Sequence, residues 1–345
     1  EAVEHSGPGV YDTEYLDYYA ELCRLAGEYE LYVFVDFHQD VWSRMSGGDG
    51  APGWVFETVG LDFTKFAEAD AARVMQHDFD YADSRDRQED NYPTMCWSRN
   101  YLYPANAILW TLFFAGRDFT PDFQIEGENV QDYLQSRYFA AQREIALRVK
   151  DQPHVIGFDS LNEPSAGWVE RPLSRRFLKD ADGIQARPGY ALSPLDALRI
   201  ARGESVECEH LDISLWRGGL YLSGRRLLNP NGVSIWLPGR EDPFLKAGAY
   251  SLEDGRALAG PEDFFQRTKQ GTVNFDRDYL FPFVGRVAAG IRSVREDWMV
   301  FAEKDAFHTM AHPGFPAELP AGTVNASHWY DVIMLSAAST AAAAE

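Results

Sequence analysis

Glu163 stands between Asn162 and Pro164, just after the apolar run Val155-Ile-Gly-Phe-Asp-Ser-Leu161. Proline has no N–H to extend a ladder and a fixed φ, so it stops a strand there and sets the turn. A carboxyl at the polar end of a buried strand lies at a cavity mouth. Placed there, it is suited to protonate a leaving oxygen. Asn162 beside it can hydrogen-bond a hydroxyl next to the bond being broken. The same three residues also make an ordinary loop turn.

His38 and Asp40 end another apolar run, Leu31-Tyr-Val-Phe-Val-Asp-Phe37. Two positions apart in extended chain, their side chains point the same way, as a grip on sugar hydroxyls needs. A metal would require a third ligand that the spacing does not define, and a capped strand end with a satisfied histidine is the plain alternative. The loop from Val41 to Trp54 brings Trp42, Trp54 and four glycines to the same end. Indole faces stack on the apolar faces of pyranose rings, and glycines let the backbone come close. Trp97, Trp168, His328 and Tyr330 extend this aromatic lining as a set.

These residues need strands to present them. From Thr13 to Glu30 apolar positions recur at three and four behind Asp12 as N-cap, which predicts an amphipathic helix running into the first strand. The pattern repeats with Val130 to Val149 after Asn129, then Val155–Leu161, and again with Val284 to Val294, then Trp298–Glu303. A last strand is expected over Ala326–Met334. Helices alternating with strands buried on both faces argue for a parallel sheet, doubly wound or closed into a barrel, with function at the C-terminal strand ends. Residues from about 165 to 278 have another texture, short alternating pieces with little helical period, and read as an inserted, partly antiparallel subdomain. The whole reads as one catalytic unit over 1–335, with a weakly ordered alanine-rich tail at 336–345.

The 345 residues are 45% hydrophobic and 25% charged, enough to bury a substantial core, which excludes disordered and disulfide-scaffold classes. A net charge of −21 repels phosphate backbones and makes nucleic acid an unsuitable partner. No Gly-rich phosphate loop occurs in a strand-to-helix context. Three unpaired cysteines suggest neither disulfides nor zinc and favour a reducing, cytoplasmic setting. The longest apolar run, Ala107–Gly116, is too short to span a bilayer.

Taken together, Phe37-His-Gln-Asp-Val-Trp-Ser-Arg-Met-Ser-Gly-Gly-Asp-Gly-Ala-Pro-Gly-Trp54, Gly157-Phe-Asp-Ser-Leu-Asn-Glu-Pro164 and His328-Trp-Tyr-Asp331 resemble glycoside hydrolase family 5. The likeness is to its fungal endoglycoceramidase-related branch, the β-glucosidases of steryl glucosides and glucosylceramide. The resemblance covers Glu1 through Asp331. It implies an α/β fold of the (β/α)8 TIM-barrel type, incomplete in this chain, and hydrolysis of a β-glycosidic bond with retention. It makes Glu163 the general acid/base and Asn162 the neighbour on the 2-hydroxyl. His38 and Asp40 become sugar-site residues on the third strand, and His328 and Tyr330 the sixth-strand pair whose tyrosine lies next to the nucleophile. The retaining mechanism needs only two carboxylates ~5–5.5 Å apart, so no cofactor and no metal are expected. The implied partner is a small-molecule glycolipid or β-glucoside, with room for transient contact with a membrane surface.

The sequence departs from the family at one point. Aligned on these motifs, residue 1 falls just beyond the second barrel strand and the chain ends just after the sixth, so the seventh-strand nucleophile has no counterpart. Glu303, Glu318 and Glu345 do not match it. The expectation is a fragment of a longer enzyme, inactive or marginally folded alone, because four strands cannot close a barrel. A cellulase-like endo-β-glucanase and a sugar-binding pseudoenzyme are the alternative readings; the large insertion argues for a walled pocket rather than an open cleft.

Overall fold

Asp12 caps the first helix by accepting from the backbone N–H of Tyr15, and the 3.6-residue period that follows carries α1 over Thr13–Glu28. Two contacts tie this helix to the turn just before a strand far along the chain. Gln152 donates to the Ala20 carbonyl, and the His154 ring, which meets the Cys23 carbonyl at 2.6 Å, lies where a side chain on Gly27 would be. The backbone then enters β1, Val33–Val35, whose ladder opens with Val33 N–H on the His154 carbonyl. The computed structural model describes residues 1–74, 97–181, 186–305, 315 and 318–328.

After a short helix at Trp54–Val59 comes α2, Pro104–Phe119, with proline at its start and nearly every side chain buried. Its apolar residues are those of the run too short to span a membrane; they form a helix buried all round. After it, α3 (Val130–Val149, capped by Asn129) leads into β2, Val155–Asp159. A second such unit is α5 (Phe281–Arg292) followed by β6, Met299–Ala302. β7 is Thr323–Asn325. The expected last strand at Ala326–Met334 is therefore corrected: the strand ends before it, and 329–334 lie outside the described residues.

The four strands form one parallel sheet in the order β1-β2-β6-β7, each new strand beside the one before it in the chain. Helices α1, α3 and α5 pack side by side in the same sequence, and α2 packs on α3. This is an α/β fold with parallel pairing. The strands are shorter than the apolar runs, and they are not buried on both faces. Val35 is buried, whereas Phe34 is 46% exposed and stacks on Phe301 at 4.2 Å, on the side of the sheet away from Phe158 and Trp298.

Between β2 and α5, antiparallel pairs replace parallel ones. β3 (Gly189–Tyr190), β4 (Val206–Ser214) and β5 (Gly219–Leu228) make a three-stranded sheet. Two shorter hairpins follow, Tyr250–Glu253 with Arg256–Ala259 and Arg267–Thr268 with Gly271–Thr272. A helix missed by the sequence reading, α4 (Pro194–Ala201), carries a full capping box from Ser193 and Asp196. Cys23 and Cys208 are buried free thiols, while Cys96 lies outside the described residues. No described helix is long and apolar enough to cross a membrane.

Candidate active site

Parallel strands deliver their next residues to one end of the sheet, and there the chain after β2 meets those after β1, β6 and β7. Glu163 follows β2 in a left-handed backbone conformation (φ 37°), which costs a non-glycine residue energy that local contacts must offset. Three contacts do so. The Glu163 N–H donates to Glu303 Oε2 at 2.8 Å, its carbonyl accepts from Gln39 Nε2 at 3.1 Å, and its Oε1 meets His328 Nδ1 at 2.8 Å. The carboxyl is thus fixed in a buried position, 3% exposed, while His328 remains open to solvent on one side.

The other nitrogen of His328 lies 3.3 Å from Glu303 Oε1, so the imidazole bridges two carboxyl groups. Burial pushes the Glu303 carboxyl up to about 7; the Glu163 N–H and His328 pull it down, and the charges of Asp36 and Glu163 push it up. Asp159, also buried at the end of β2, is held well above the usual carboxylate range by burial and then by Glu303 and Asp36. Glu303 was missed as a site residue: its place at a polar strand end was legible, its aim at the Glu163 backbone was not.

Gln39 was missed as well. Nearly fully buried, it donates from Nε2 to the carbonyls of Asn162 (2.7 Å) and Glu163 and accepts the Trp42 N–H at 2.8 Å. Asn162 answers by donating to the Gln39 carbonyl at 2.7 Å. The loops after β1 and β2 are therefore sewn together. That seam also steadies Val41 and Trp42, both at positive φ. Among the described residues, the Asn162 side-chain oxygen is buried without a hydrogen-bond partner.

His38 lies on the other flank of the β1 end. Its Nδ1 is 2.9 Å from Asp36 and its Nε2 is 3.6 Å from Asp40, and these two carboxylates, Asp36 foremost, raise the imidazole to about 10. Asp49 joins them across a backbone bridge to Asp40, so His38, Asp40 and Asp49 offer donor atoms within 4.8 Å of one another, the third ligand that spacing alone did not define. The group is largely open to solvent.

Trp42 and Trp54 line a cavity of about 150 Å³ together with Phe37, His38, Gln39 and Leu161. Trp42 is almost fully buried, edge-on against Trp110 and Phe113, and Trp54 donates to the Glu4 carbonyl. Trp168 is core, packed on Phe244 and Phe265 rather than lining the site. Tyr330 and the Trp97 side chain lie outside the described residues. The structure thus joins Glu163, Asn162 and His328 in one network and sets His38, Asp40, Trp42 and Trp54 along an adjoining flank.

No family model matches the chain. It is 32% identical over 364 residues to a glucosylceramidase of Aspergillus fumigatus, covering 97% of this chain and 46% of that protein. It is 33% identical over 260 residues to the ergosteryl-beta-glucosidase of Saccharomyces cerevisiae, covering 72% of this chain and 33% of that protein. The solved structure of Cryptococcus neoformans sterylglucosidase 1 superposes with a TM-score of 0.83 at 26% identity, covering 97% of this chain and 49% of that one. The chain spans about half the length of the curated relatives it matches.

Proposed function

From its homology to fungal glucosylceramidases and an ergosteryl-beta-glucosidase, we propose that the chain carries the acid/base side of a retaining hydrolase of glycolipid β-glucosides, such as steryl glucosides or glucosylceramide. The observation that carries the reading is the Glu163 carboxyl, buried at the end of β2 and hydrogen-bonded to an imidazole that relays to a second acid. Glu163 protonates the glycosidic oxygen as the bond breaks and later takes a proton from water. The orphaned Asn162 oxygen suits a sugar hydroxyl, which would give it the donor it lacks. The His38 imidazolium and Asp40 supply further partners for hydroxyls, and the Trp42–Trp54 cavity receives apolar surface. The sequential strand order is that of a (β/α)8 barrel, of which this chain would supply four strands.

Retention also requires a nucleophilic carboxylate. Glu303 does not fill that role, because one of its oxygens accepts the Glu163 N–H and the other meets His328. That engagement favours, as the second reading, a protein that binds β-glucosides without turnover. Hydrolysis of a fluorogenic β-glucoside, steryl glucoside and glucosylceramide by the chain and by Glu163→Gln decides between them. Turnover reduced roughly 10²–10⁴-fold by the substitution, with β-glucose released first by NMR, supports the hydrolase. Saturable glucoside binding with no turnover by either protein supports the second reading.

A further inference from the structure

The β4–β5 hairpin reaches beyond its support. Its ladder runs from Val206 opposite Leu228 out to Ser214 opposite Gly219, but β3 covers β4 only at His210 and Leu211. Asp212, Ile213 and Ser214 therefore overhang by about 10 Å at ~3.3 Å per residue, before the turn through Leu215–Arg217. Residues directly opposite in a ladder share a face. Leu211 with Leu222 and Ile213 with Leu220 thus make one face entirely apolar. Leu211 is buried at its base, whereas Ile213 and Leu222 are about half exposed and Trp216 at the turn is 91% exposed, the highest among the described large apolar side chains.

Charge changes along with polarity. The chain carries −21 overall, yet residues 213–228 contain Arg217, Arg225 and Arg226 and no carboxylate. Arg225 meets Glu209 and Arg226 meets Asp70 across to neighbouring segments, and the Arg217 guanidinium lies 4.3 Å over the Tyr221 ring at the tip. The root of the hairpin stands near the candidate site. Gly189, paired with Leu211, is two residues from Arg187, whose guanidinium is 3.6 Å from Asp305, and Asp305 also accepts the Ala166 N–H.

We propose that Ile213–Leu222 is a finger that docks the protein on the surface of a lipid bilayer, Trp216 entering the headgroup region and Arg217 beside it facing anionic lipid. Indole is favoured at that interface, and arginine is drawn to the negative surface potential that repels the rest of this acidic chain. The purpose of such docking rests on the glycolipid reading, since a glycolipid must be taken from a bilayer; the contact itself does not depend on it.

Flotation of the chain with phosphatidylcholine vesicles, with and without phosphatidylserine and free of glycolipid, tests the finger apart from hydrolysis. The chain floats, more strongly with phosphatidylserine and at low salt. Trp216→Ser with Leu222→Ser weakens binding at least tenfold while the circular dichroism melt stays unchanged. Trp216→Phe still floats but loses the fluorescence quenching that brominated lipids cause. Absence of flotation, or flotation that the double substitution leaves intact, overturns the proposal. So does self-association in sedimentation that depends on Trp216, which would make the patch a contact between copies. Flotation without glucoside hydrolysis would remove only the proposed activity, and hydrolysis of a soluble glucoside without flotation would remove only the finger.

Discussion

At the scale of single residues, the ionisation of Glu303 is the informative quantity. A carboxyl raised from 4.5 to about 7 keeps its proton in the native state at pH values where the unfolded chain has lost it. Stability is therefore highest below the unfolded value and falls as pH rises through the window from 4.5 to about 7. Glu303→Gln keeps the acceptor for the Glu163 N–H and removes the titration. Urea unfolding of this variant should show a pH dependence flatter by about 1–3 kcal/mol across that window; an unchanged slope would assign the titration elsewhere. His38 has the same sign in a higher window, because its folded value is likewise raised. Its stabilising contribution is complete below the ordinary histidine value and is lost as pH rises through about 10. Imidazole proton shifts should show His38 still charged well above neutral pH, and Asp36→Asn should bring its midpoint down toward 6.5; a wild-type midpoint near 6.5 would dissolve the Asp36–His38–Asp40 arrangement.

At the scale of elements, what was legible in the sequence was local. Asp12 and Asn129 as caps, and the helical periods behind them, locate α1 and α3 within a residue or two, because a cap and a stripe are written in adjacent residues. Glu163, Asn162, His38 and Asp40 were likewise visible as polar residues closing apolar runs. The seam that positions them was not: Gln39 reaches Asn162 123 positions away and Glu303 reaches Glu163 140 positions away, and no spacing rule links such pairs. Nor could an all-apolar run show whether α2 would be helix or strand. Two substitutions test the seam and the sheet beneath it. Gln39→Ala leaves the Asn162 carbonyl and the Trp42 N–H without this partner, while the Glu163 carbonyl keeps the Tyr101 hydroxyl, and should lower stability by about 2–4 kcal/mol in urea unfolding; a loss below the range of an exposed substitution would mean that water replaces the amide. Gly157→Ala places a methyl 2.2 Å from the Met299 carbonyl, which the β2–β6 pairing cannot yield to without parting. It should lower the melting temperature by more than Ala substitution at the open position Gly285, where nothing lies within 4 Å.

At the scale of the whole molecule, the two faces of the parallel sheet differ. Helices cover one face, where Val35, Phe158, Val300 and Ala302 are buried, while β1 presents Phe34 to solvent on the other. A closed barrel would turn that second face inward, and Phe34 with Phe301 would belong to its core. The ranking of two neighbouring substitutions reports which situation holds in solution. With the face open, Phe34→Ala loses part of one ring stack and half a side chain of burial, about 1 kcal/mol. Val35→Ala opens a void in packed core and costs about 2 kcal/mol. If the face is covered, by further strands of a longer chain or by a second copy, the order inverts, because removing a buried phenylalanine costs about 3–5 kcal/mol. Urea unfolding of the two variants at several protein concentrations separates the cases: Phe34→Ala the milder change at every concentration means an open face, the harsher change at all of them means intramolecular cover, and a penalty that grows with concentration means a partner copy.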